Sequence, residues 1–214
     1  MNKKSKDIKK DSIICFGRII KGIYTLGPGS RTCFWLQGCS KDPKCTGCTT
    51  PEYQSFNKQR YLSTQVVADC LRVSNKNGRL TISGGEPLDQ PVALHKLLYL
   101  IRNDYKDILL YTGKLIKELD NNQKKILELV DVVIDGPYEQ SHDNNCILRG
   151  SNNQGIHFTP RCTSELKKEY DDYIAINTKR KIQFIPYTDC IIEVGIPTNH
   201  TQEGKYNDEK SNLY

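Results

Sequence analysis

Three cysteines lie within ten positions of one another, in residues 38–48. They are Cys39, Cys45 and Cys48, and the residues between them are small, polar or turn-forming, which lets three sulfur atoms converge on one point. The thiolate is the form that binds metals, and most zinc or iron–sulfur centres take four protein ligands. Either a fourth ligand comes from elsewhere, with Cys33 the nearest candidate for a structural zinc site, or one metal position stays open for chemistry.

A second short motif follows an apolar stretch further along the chain. Residues 79–83 are predicted to form a strand that runs directly into Gly84-Gly85-Glu86-Pro87. A Gly-Gly turn lets another group approach the backbone closely, because neither residue has a Cβ atom. Alone, such a sequence is more often only a turn, so its meaning depends on its position downstream of the cysteine segment.

The elements that must position these residues alternate between strands and helices. Four strands are predicted, over residues 31–37, 79–83, 108–112 and 131–135. Helices with apolar side chains at helical spacing are predicted from Ser63, from Pro91 and over residues 115–130. This alternation is typical of an α/β fold with a parallel sheet and right-handed crossovers.

Each of the four predicted strands ends in a loop that contains a glycine. These glycines are Gly38, Gly84, Gly113 and Gly136. In α/β folds the chemistry gathers at the carboxyl ends of the parallel strands. We therefore expect the cysteine segment and the Gly-Gly turn to line the same rim.

The remaining segments define the predicted domain organisation. A single domain is expected over residues 13–197, with a short N-terminal strand pair at 13–20 and 23–26. Residues 1–12 are predicted to be a flexible basic arm, and residues 198–214 a polar tail. Within the domain, residues 139–161 are predicted to be irregular. A short helix near 165–173 and late strands at 181–185 and 191–194 complete the prediction.

The composition excludes several classes of function. The chain has 31 basic and 25 acidic residues, a net charge of +6, and beyond its lysine-rich start the charges alternate in sign. This pattern gives no nucleic-acid face, so we expect no nucleic-acid partner. No apolar run approaches the roughly 18 residues of a membrane helix, and the first residues lack a signal peptide's apolar segment. We therefore expect no membrane association and a cytoplasmic location, where nine cysteines favour metal or redox roles over disulfides.

Seven segments occur in the order that is typical of one enzyme family. They are Gly27-Pro28-Gly29-Ser30-Arg31, Gln37-Gly38-Cys39, Cys45-Thr46-Gly47-Cys48, Ser83-Gly84-Gly85-Glu86-Pro87, Leu110-Tyr111-Thr112-Gly113, residues 131–137, and Arg149-Gly150-Ser151-Asn152-Asn153-Gln154. On these residues the chain resembles the radical S-adenosylmethionine (SAM) activating enzymes, most closely the small activases of anaerobic ribonucleotide reductases. The resemblance covers about residues 13–155. The one departure is that five residues separate Cys39 from Cys45, where the family has three.

The resemblance implies an open, partial (β/α)6-type barrel that carries a 4Fe-4S cluster on Cys39, Cys45 and Cys48. SAM would chelate the iron that lacks a protein ligand, and its reductive cleavage would give methionine and a 5′-deoxyadenosyl radical. The expected outcome is a glycyl radical on a partner enzyme, with a flavodoxin- or ferredoxin-like electron donor. The longer cysteine gap leaves open a second hypothesis, a radical SAM enzyme that modifies a peptide or small metabolite. A third hypothesis is a non-catalytic metal-binding module.

The same resemblance implies a set of cofactor-binding residues. They are Gly47, Thr49, Gly84, Gly85, Glu86, Pro87, Thr112 and Asp135. In this interpretation the two turn glycines let the backbone approach SAM, and Glu86 binds its ammonium group by a charge-assisted hydrogen bond. Asp135 is expected at a ribose hydroxyl, and Gly47 with Thr49 at the adenine.

Two arginines and the other cysteines carry weaker hypotheses. Arg31 and Arg149 are candidates to anchor SAM or a partner, although an arginine in a loop is more often solvated. The remaining cysteines do not form a second spaced cluster, and buried free cysteine is common, so we expect them to be structural.

Overall fold

A computed structural model describes residues 12–56, 60–74, 78–187 and 190–197. The predicted basic arm, apart from Ser12, and the predicted polar tail lie outside the described residues. The strands are β1 (Ile13–Ile23), β2 (Arg31–Leu36), β3 (Tyr61–Ser63), β4 (Gly78–Gly84), β5 (Tyr105–Tyr111), β6 (Val132–Asp135), β7 (Gly155–Phe158), β8 (Ile182–Tyr187) and β9 (Cys190–Gly195). The α-helices are α1 (Thr64–Ser74), α2 (Pro91–Ile101), α3 (Asn121–Leu127) and α4 (Ser164–Ile176).

Seven strands form one sheet, in the order β3-β1-β2-β4-β5-β6-β7. The four central strands β2, β4, β5 and β6 run parallel to one another. At the two sides of this group, β1 pairs antiparallel with β2 and β7 pairs antiparallel with β6, and the edge strand β3 pairs antiparallel with β1. The predicted α/β fold with a parallel sheet is therefore confirmed. Because β3 and β7 stand at opposite edges and do not pair with each other, the sheet is open.

Three helices cover one face of the sheet. Side chains of β2 and β4 that point to this face, such as Phe34 and Leu80, pack with α1, α2 and α3 in the largest apolar cluster. The predicted apolar stripe of α2 is confirmed, since its members are fully buried there; they are Leu94, Leu97, Leu98 and Ile101. We call this face the helical face. It supplies most of the apolar burial that stabilises the domain.

The opposite face, which we call the inner face, is covered by the end of the chain. Trp35 on β2 packs there with Tyr53 and with Val194 on β9, and Leu109 on β5 packs with Tyr170 on α4. β2 is buried along its whole length, as predicted, because it is covered on both faces. The two-stranded β8–β9 sheet is separate from the large sheet and lies against this inner face.

The predicted N-terminal strand pair is wrong. One strand, β1, spans 11 residues and pairs with β2 on one side and β3 on the other. Gly17 lies inside this strand, where a Cβ atom would stand 2.5 Å from the Tyr53 ring, so the glycine makes room for that ring. Gly22 has a φ of +73° and lies at a register shift between β1 and β2, so this glycine forms a bulge within the strand.

Two further predictions need correction. The helix predicted over residues 115–130 is much shorter, because Asp120 caps α3 by accepting hydrogen bonds from the backbone N–H groups of Asn122 and Gln123. Upstream of it, Ile116–Glu118 form a single 3-10 turn. The region predicted to be irregular contains β7, which pairs antiparallel with β6.

Candidate functional site

A cleft of about 550 Å³ opens at the carboxyl ends of the central strands. Its volume lies in the range of small-molecule sites. Cys39, Cys45 and Cys48 line it from one side, and the ends of β4 and β5 line it from another. The structure therefore confirms that the cysteine segment and the Gly-Gly turn share one rim.

The chain enters and leaves the cysteine segment through backbone pairing. The backbone N–H of Gly38 donates to the carbonyl oxygen of Tyr53 (2.7 Å), and that of Cys39 donates to Gln54 (3.0 Å). The Gln37 side chain donates to the carbonyl oxygen of Ser55 at 2.5 Å. These bonds close residues 38–53 into a loop that begins directly at the end of β2.

A polar group holds the first part of this loop to the neighbouring strand ends. Asp89 accepts from the backbone N–H of Ser40 (2.5 Å) and from its hydroxyl group (2.8 Å). The same carboxylate pairs with Lys114, which follows β5, at 3.0 Å. At the other end of the five-residue gap, the Lys44 ammonium group donates to the Cys39 carbonyl oxygen. The longer gap is thus folded back and tied at both ends.

All nine cysteines are free thiols. The three in the cleft are half-buried, and burial raises the pKa of Cys39 and of Cys45. For Cys45 the charge of Lys41 opposes this rise, whereas the neighbouring sulfur of Cys48 adds to it. Metal ligands must lose their protons, so metal binding here would release protons and would depend on pH.

The donor set fits an iron–sulfur cluster or a soft metal, because it consists of three thiols in one cleft with lysines beside them. Within the described ranges, no three His, Cys, Asp or Glu side chains already stand in a metal-holding arrangement. The structure brings the three cysteines to one cleft without forming the coordination geometry. Cys33, the nearest candidate for the fourth ligand of a structural zinc site, is fully buried in β2, where burial raises its pKa to about 12.

At the Gly-Gly turn, the backbone that leads into the cysteine loop approaches too closely for a residue with a Cβ atom. A Cβ atom on Gly85 would stand 2.0 Å from the Gly38 carbonyl oxygen, and one on Gly84 would stand 2.2 Å from that of Leu36. Two hydrogen bonds cross this contact, from the Gly85 N–H to Leu36 (2.9 Å) and from the Glu86 N–H to Gly38 (2.7 Å). Both glycines also line the cleft. The turn therefore fixes the backbone next to Cys39.

Glu86 connects the ends of β4 and β5. Its carboxylate accepts from the Thr112 hydroxyl (2.7 Å) and from the backbone N–H groups of Leu88 (2.9 Å) and Gly113 (2.7 Å). Burial raises the pKa of Glu86 despite these bonds. Both Glu86 and Thr112 line the cleft. The hydrogen bonds show their structural role, and their assignment to SAM binding stays a prediction.

The other predicted residues differ in their access to the cleft. Thr49 lines it, and Gly47 lies in the same loop with a φ of +71°. Pro87 is buried at the start of the 3-10 turn Pro87–Asp89. Asp135 is buried at the end of β6, where it accepts from the Ile116 N–H (2.9 Å) and lies 2.8 Å from His157 Nε2. The neighbouring Gly136, rather than Asp135, is the residue of this strand end that lines the cleft.

The two arginines occupy different environments. Arg31 is fully buried at the amino end of β2, where it binds Asp107, so it cannot anchor a ligand at the carboxyl rim. Arg149 donates to the Gln154 carbonyl oxygen (3.1 Å), and its Nε atom is buried without a hydrogen-bond partner. Gly150 and Gln154 of the same segment line the cleft.

Sequence reasoning missed two contributions to this site. Asp89 and Lys114 fix the cysteine loop, and the signal available for them was only their position beside the strand-end turns. Residues 192–196, from β9 onward, line the cleft opposite the strand ends, and no local motif marked them. Among the described residues, no helix is both long and apolar enough to cross a membrane.

An α/β sheet with three free cysteines in a cleft at its carboxyl rim defines a candidate metal–thiolate domain of the iron–sulfur class. Residues 25–157, more than half of the chain, match the family described as the 4Fe-4S single cluster domain. Proteins called anaerobic ribonucleoside-triphosphate reductase-activating protein are similar to it. The one from Vibrio cholerae is 34% identical over 141 residues, which cover 61% of this chain and 89% of the relative.

Two other proteins of that name give comparable matches. The one from Escherichia coli K12 is 32% identical over 61% of this chain and 90% of the relative. The one from Enterobacteria phage T4 is 34% identical over 66% of this chain and 92% of the relative. The chain belongs to the family of these 4Fe-4S activating proteins.

Proposed function

We propose that the chain is a radical SAM activating enzyme that generates a glycyl radical on an anaerobic ribonucleoside-triphosphate reductase. One observation carries the proposal: Cys39, Cys45 and Cys48 lie as free thiols in a single cleft at the carboxyl rim. The names of the relatives supply the class of partner.

In this proposal the three cysteines would hold a 4Fe-4S cluster, which, once reduced by the electron donor, would supply the single electron that cleaves SAM to methionine and a 5′-deoxyadenosyl radical. That radical would take a hydrogen atom from a glycine of the partner and become 5′-deoxyadenosine. The chain's own residues hold the cysteine loop in place and shape the cleft. Asp89 and the Gly84-Gly85 turn fix the cysteine loop, while Thr49 and the buried Glu86–Thr112 pair shape the wall against which SAM would lie.

The open sheet supports an incomplete barrel of the (β/α)6 type, in which residues 13–197 act as a single radical SAM domain. Four parallel strands in a sheet that does not close into a barrel leave the rim accessible from the side. A wide lateral opening suits a protein substrate, because the reacting glycine must reach the cleft on a polypeptide. We further propose a flavodoxin- or ferredoxin-like electron donor and a cytoplasmic location, where nine free thiols persist.

Anaerobic reconstitution followed by dithionite and SAM tests the proposal. We expect a brown protein that releases 5′-deoxyadenosine, and a Cys45→Ala variant that does not. One zinc per chain with no iron, or an iron-loaded protein that leaves SAM intact, would reject it. Release of 5′-deoxyadenosine without a radical on the reductase would point to a peptide or small metabolite as the substrate.

A further inference from the structure

A buried arginine that follows the matched family segment holds part of the cleft wall. Arg180 lies between α4 and β8, whereas the matched segment ends at residue 157. Its side chain is 2% exposed, and that of its ion-pair partner Asp143 is 4% exposed. Burial of two charges costs free energy unless they are paired and their other hydrogen-bonding groups are also satisfied. The acceptors around Arg180 therefore show which parts of the chain it joins.

Four acceptors surround the guanidinium group of Arg180. Its Nη2 atom donates to the Asp143 carboxylate and to the carbonyl oxygen of Gly150 (3.0 Å). Nη1 donates to the carbonyl oxygen of Pro197 (2.9 Å), and Nε donates to that of Cys146 (3.2 Å). The side chain thus joins the segment that ends at Gly150 to the segment that follows β9. A guanidinium group suits this task because its planar fork fixes the direction of every donor, whereas a lysine ammonium group is a single point on a flexible stem.

Both joined segments contain or adjoin residues that line the cleft. Gly150 lines it, and so does Tyr138, whose hydroxyl group donates to the carboxylate bound by Arg180 (3.4 Å). A Cβ atom on Gly150 would stand 2.8 Å from the Tyr138 ring, so the glycine makes room for that ring. On the other side, Ile196 lines the cleft directly before Pro197. Arg180 itself does not line the cleft, so it acts on the site only through these residues.

The backbone that leads to Gly150 has an unfavourable conformation. Leu148 is buried and has a φ of +65°, in the left-handed region that residues with a Cβ atom rarely adopt. Such a conformation persists only where the surrounding structure fixes it. The carbonyl oxygens that Arg180 binds, those of Cys146 and Gly150, lie on either side of Leu148 in the sequence. Arg180 therefore holds the turn that brings Gly150 to the cleft.

We propose that Arg180 is a positioning residue of the SAM site, an inference that rests on the proposed function. By holding residues 138–150 and 196–197 in a fixed relation, it sets the shape of the cleft wall and with it the affinity for SAM. Replacing a buried ion pair by apolar residues often leaves stability unchanged, so fixed geometry is what this pair supplies. The cysteine loop is tied separately, by Asp89 and by the Gly-Gly turn, so we expect the cluster to survive a disturbance of the wall.

The test measures SAM binding to the anaerobic, iron-loaded full-length chain by equilibrium dialysis without reductant. Arg180→Lys keeps the positive charge beside Asp143 but cannot reach all four acceptors. Arg79→Lys is the matched control, since Arg79 is also a buried arginine and pairs with Asp107 and Glu169 at the amino end of the sheet. We expect Arg180→Lys to raise the Kd for SAM by about tenfold or more and Arg79→Lys to leave it unchanged. Iron content should be equal in all three proteins.

A second variant separates positioning from stability. Arg180→Met with Asp143→Leu removes both charges, so neither is left uncompensated, and the free energy of unfolding in urea should stay close to that of the unmodified chain. The Kd for SAM should nevertheless rise by about tenfold or more, because the wall segments are no longer joined. An unchanged Kd in the folded variants, or an equal rise in Arg79→Lys, would overturn the proposal. Loss of iron in Arg180→Lys alone would also overturn it, because Arg180 would then support the cysteine loop.

The failure of the proposed function gives a different result. If the unmodified iron-loaded chain binds no SAM, the site does not take that cofactor, and hydrogen exchange of the metal-free proteins tests the positioning alone. Exchange at residues 138–150 and 194–196 that is faster in Arg180→Lys, but not in Arg79→Lys, would then support the role of Arg180 in the wall. Equal exchange in these segments would overturn it.

Discussion

The two ends of the inner face use charged and polar side chains in opposite ways. At the amino end, Asp107 is fully buried and binds Arg31 at 2.5 Å and Arg79 at 3.0 Å. The Tyr170 hydroxyl donates to the same carboxylate at 3.2 Å, and Arg79 also pairs with Glu169 at 2.5 Å. Burial alone would lower the pKa of Arg31, but Tyr170 and Asp107 hold it above its usual range.

At the carboxyl end, the corresponding positions open onto a cleft. The thiols there are half-buried and free, and the charged groups around them, Asp89 and Lys114, hold the loop. The difference shows how one sheet separates two tasks. The amino end closes the domain with mutually satisfied charges, and the carboxyl end leaves its sulfur ligands available.

The strongest way to break this comparison is to remove one sulfur ligand. We expect Cys45→Ala to abolish iron uptake at the cleft and all SAM cleavage, because two thiols cannot hold the cluster in place. Cys70→Ala is the control, since Cys70 is exposed on α1, away from the cleft. Iron analysis and the visible absorption of the reconstituted proteins measure the effect. Equal iron in the two variants would contradict the assignment.

The amino end is tested by Asp107→Asn, which leaves the fully buried Arg31 without its countercharge and Arg79 with Glu169 alone. We expect the free energy of unfolding to fall by about 3–5 kcal/mol, the usual effect of breaking a buried ion pair. Urea unfolding of the metal-free protein measures it. Asp69→Asn, in a pair with Arg72 that is largely exposed, should change stability far less. A small effect of Asp107→Asn would show that the amino end does not hold the domain together.

Gly85→Ala tests whether the turn supports the cysteine loop. The added Cβ atom would stand 2.0 Å from the Gly38 carbonyl oxygen, so the backbone next to Cys39 must move. We expect a loss of about 1–3 kcal/mol of stability and a lower iron content per folded chain. Gly113→Ala is the matched control, because its Cβ atom would meet only the Glu86 side chain, at 3.4 Å. Unchanged iron loading in Gly85→Ala would separate the turn from the site.

The smallest effect concerns Glu86, the buried acid of the carboxyl end. Burial raises its pKa above the ordinary value of 4.5, so the folded protein retains the proton longer than the unfolded chain. Its contribution to stability is therefore full below pH 4.5 and declines as the pH rises toward the raised value. We expect metal-free Glu86→Gln to be about 1 kcal/mol less stable at low pH, because the Gly113 N–H loses its acceptor.

That difference should shrink as the pH rises, because only the unmodified chain has to ionise a buried group. Chemical unfolding at a series of pH values measures it. A difference that grows with pH would mean that the carboxylate is stabilised by its three donors more than it is penalised by burial.

The sequence predicted the elements whose signals are local. The continuous apolar run of β2 and the spacing of Leu94, Leu97, Leu98 and Ile101 on α2 each reflect burial that short windows reveal. The glycine-bearing strand ends predicted the rim because parallel strands share one carboxyl edge. The seven ordered motifs predicted the activating-enzyme family that the relatives confirm.

The failures depend on long-range contacts. The predicted strand pair was separated at residues 21–22, whereas Gly22 only forms a bulge inside β1, whose course is set by its pairing with β2 and with the distant β3. The Glu86 carboxylate accepts a hydrogen bond from Thr112, which is 26 residues away. Gln183 of β8 donates to the Gly22 carbonyl oxygen, which is 161 residues away. Such contacts change the role of a residue without changing its local sequence.

The central claim is that the cleft cysteines hold a cluster that produces a glycyl radical on a partner. The most direct measurement is electron paramagnetic resonance of the iron-loaded chain mixed with the reductase, SAM and dithionite. We predict a doublet glycyl signal on the reductase, absent when Cys45→Ala replaces the unmodified chain. An iron-loaded chain that gives no such signal, or a Cys45→Ala variant that gives the full signal, would contradict it.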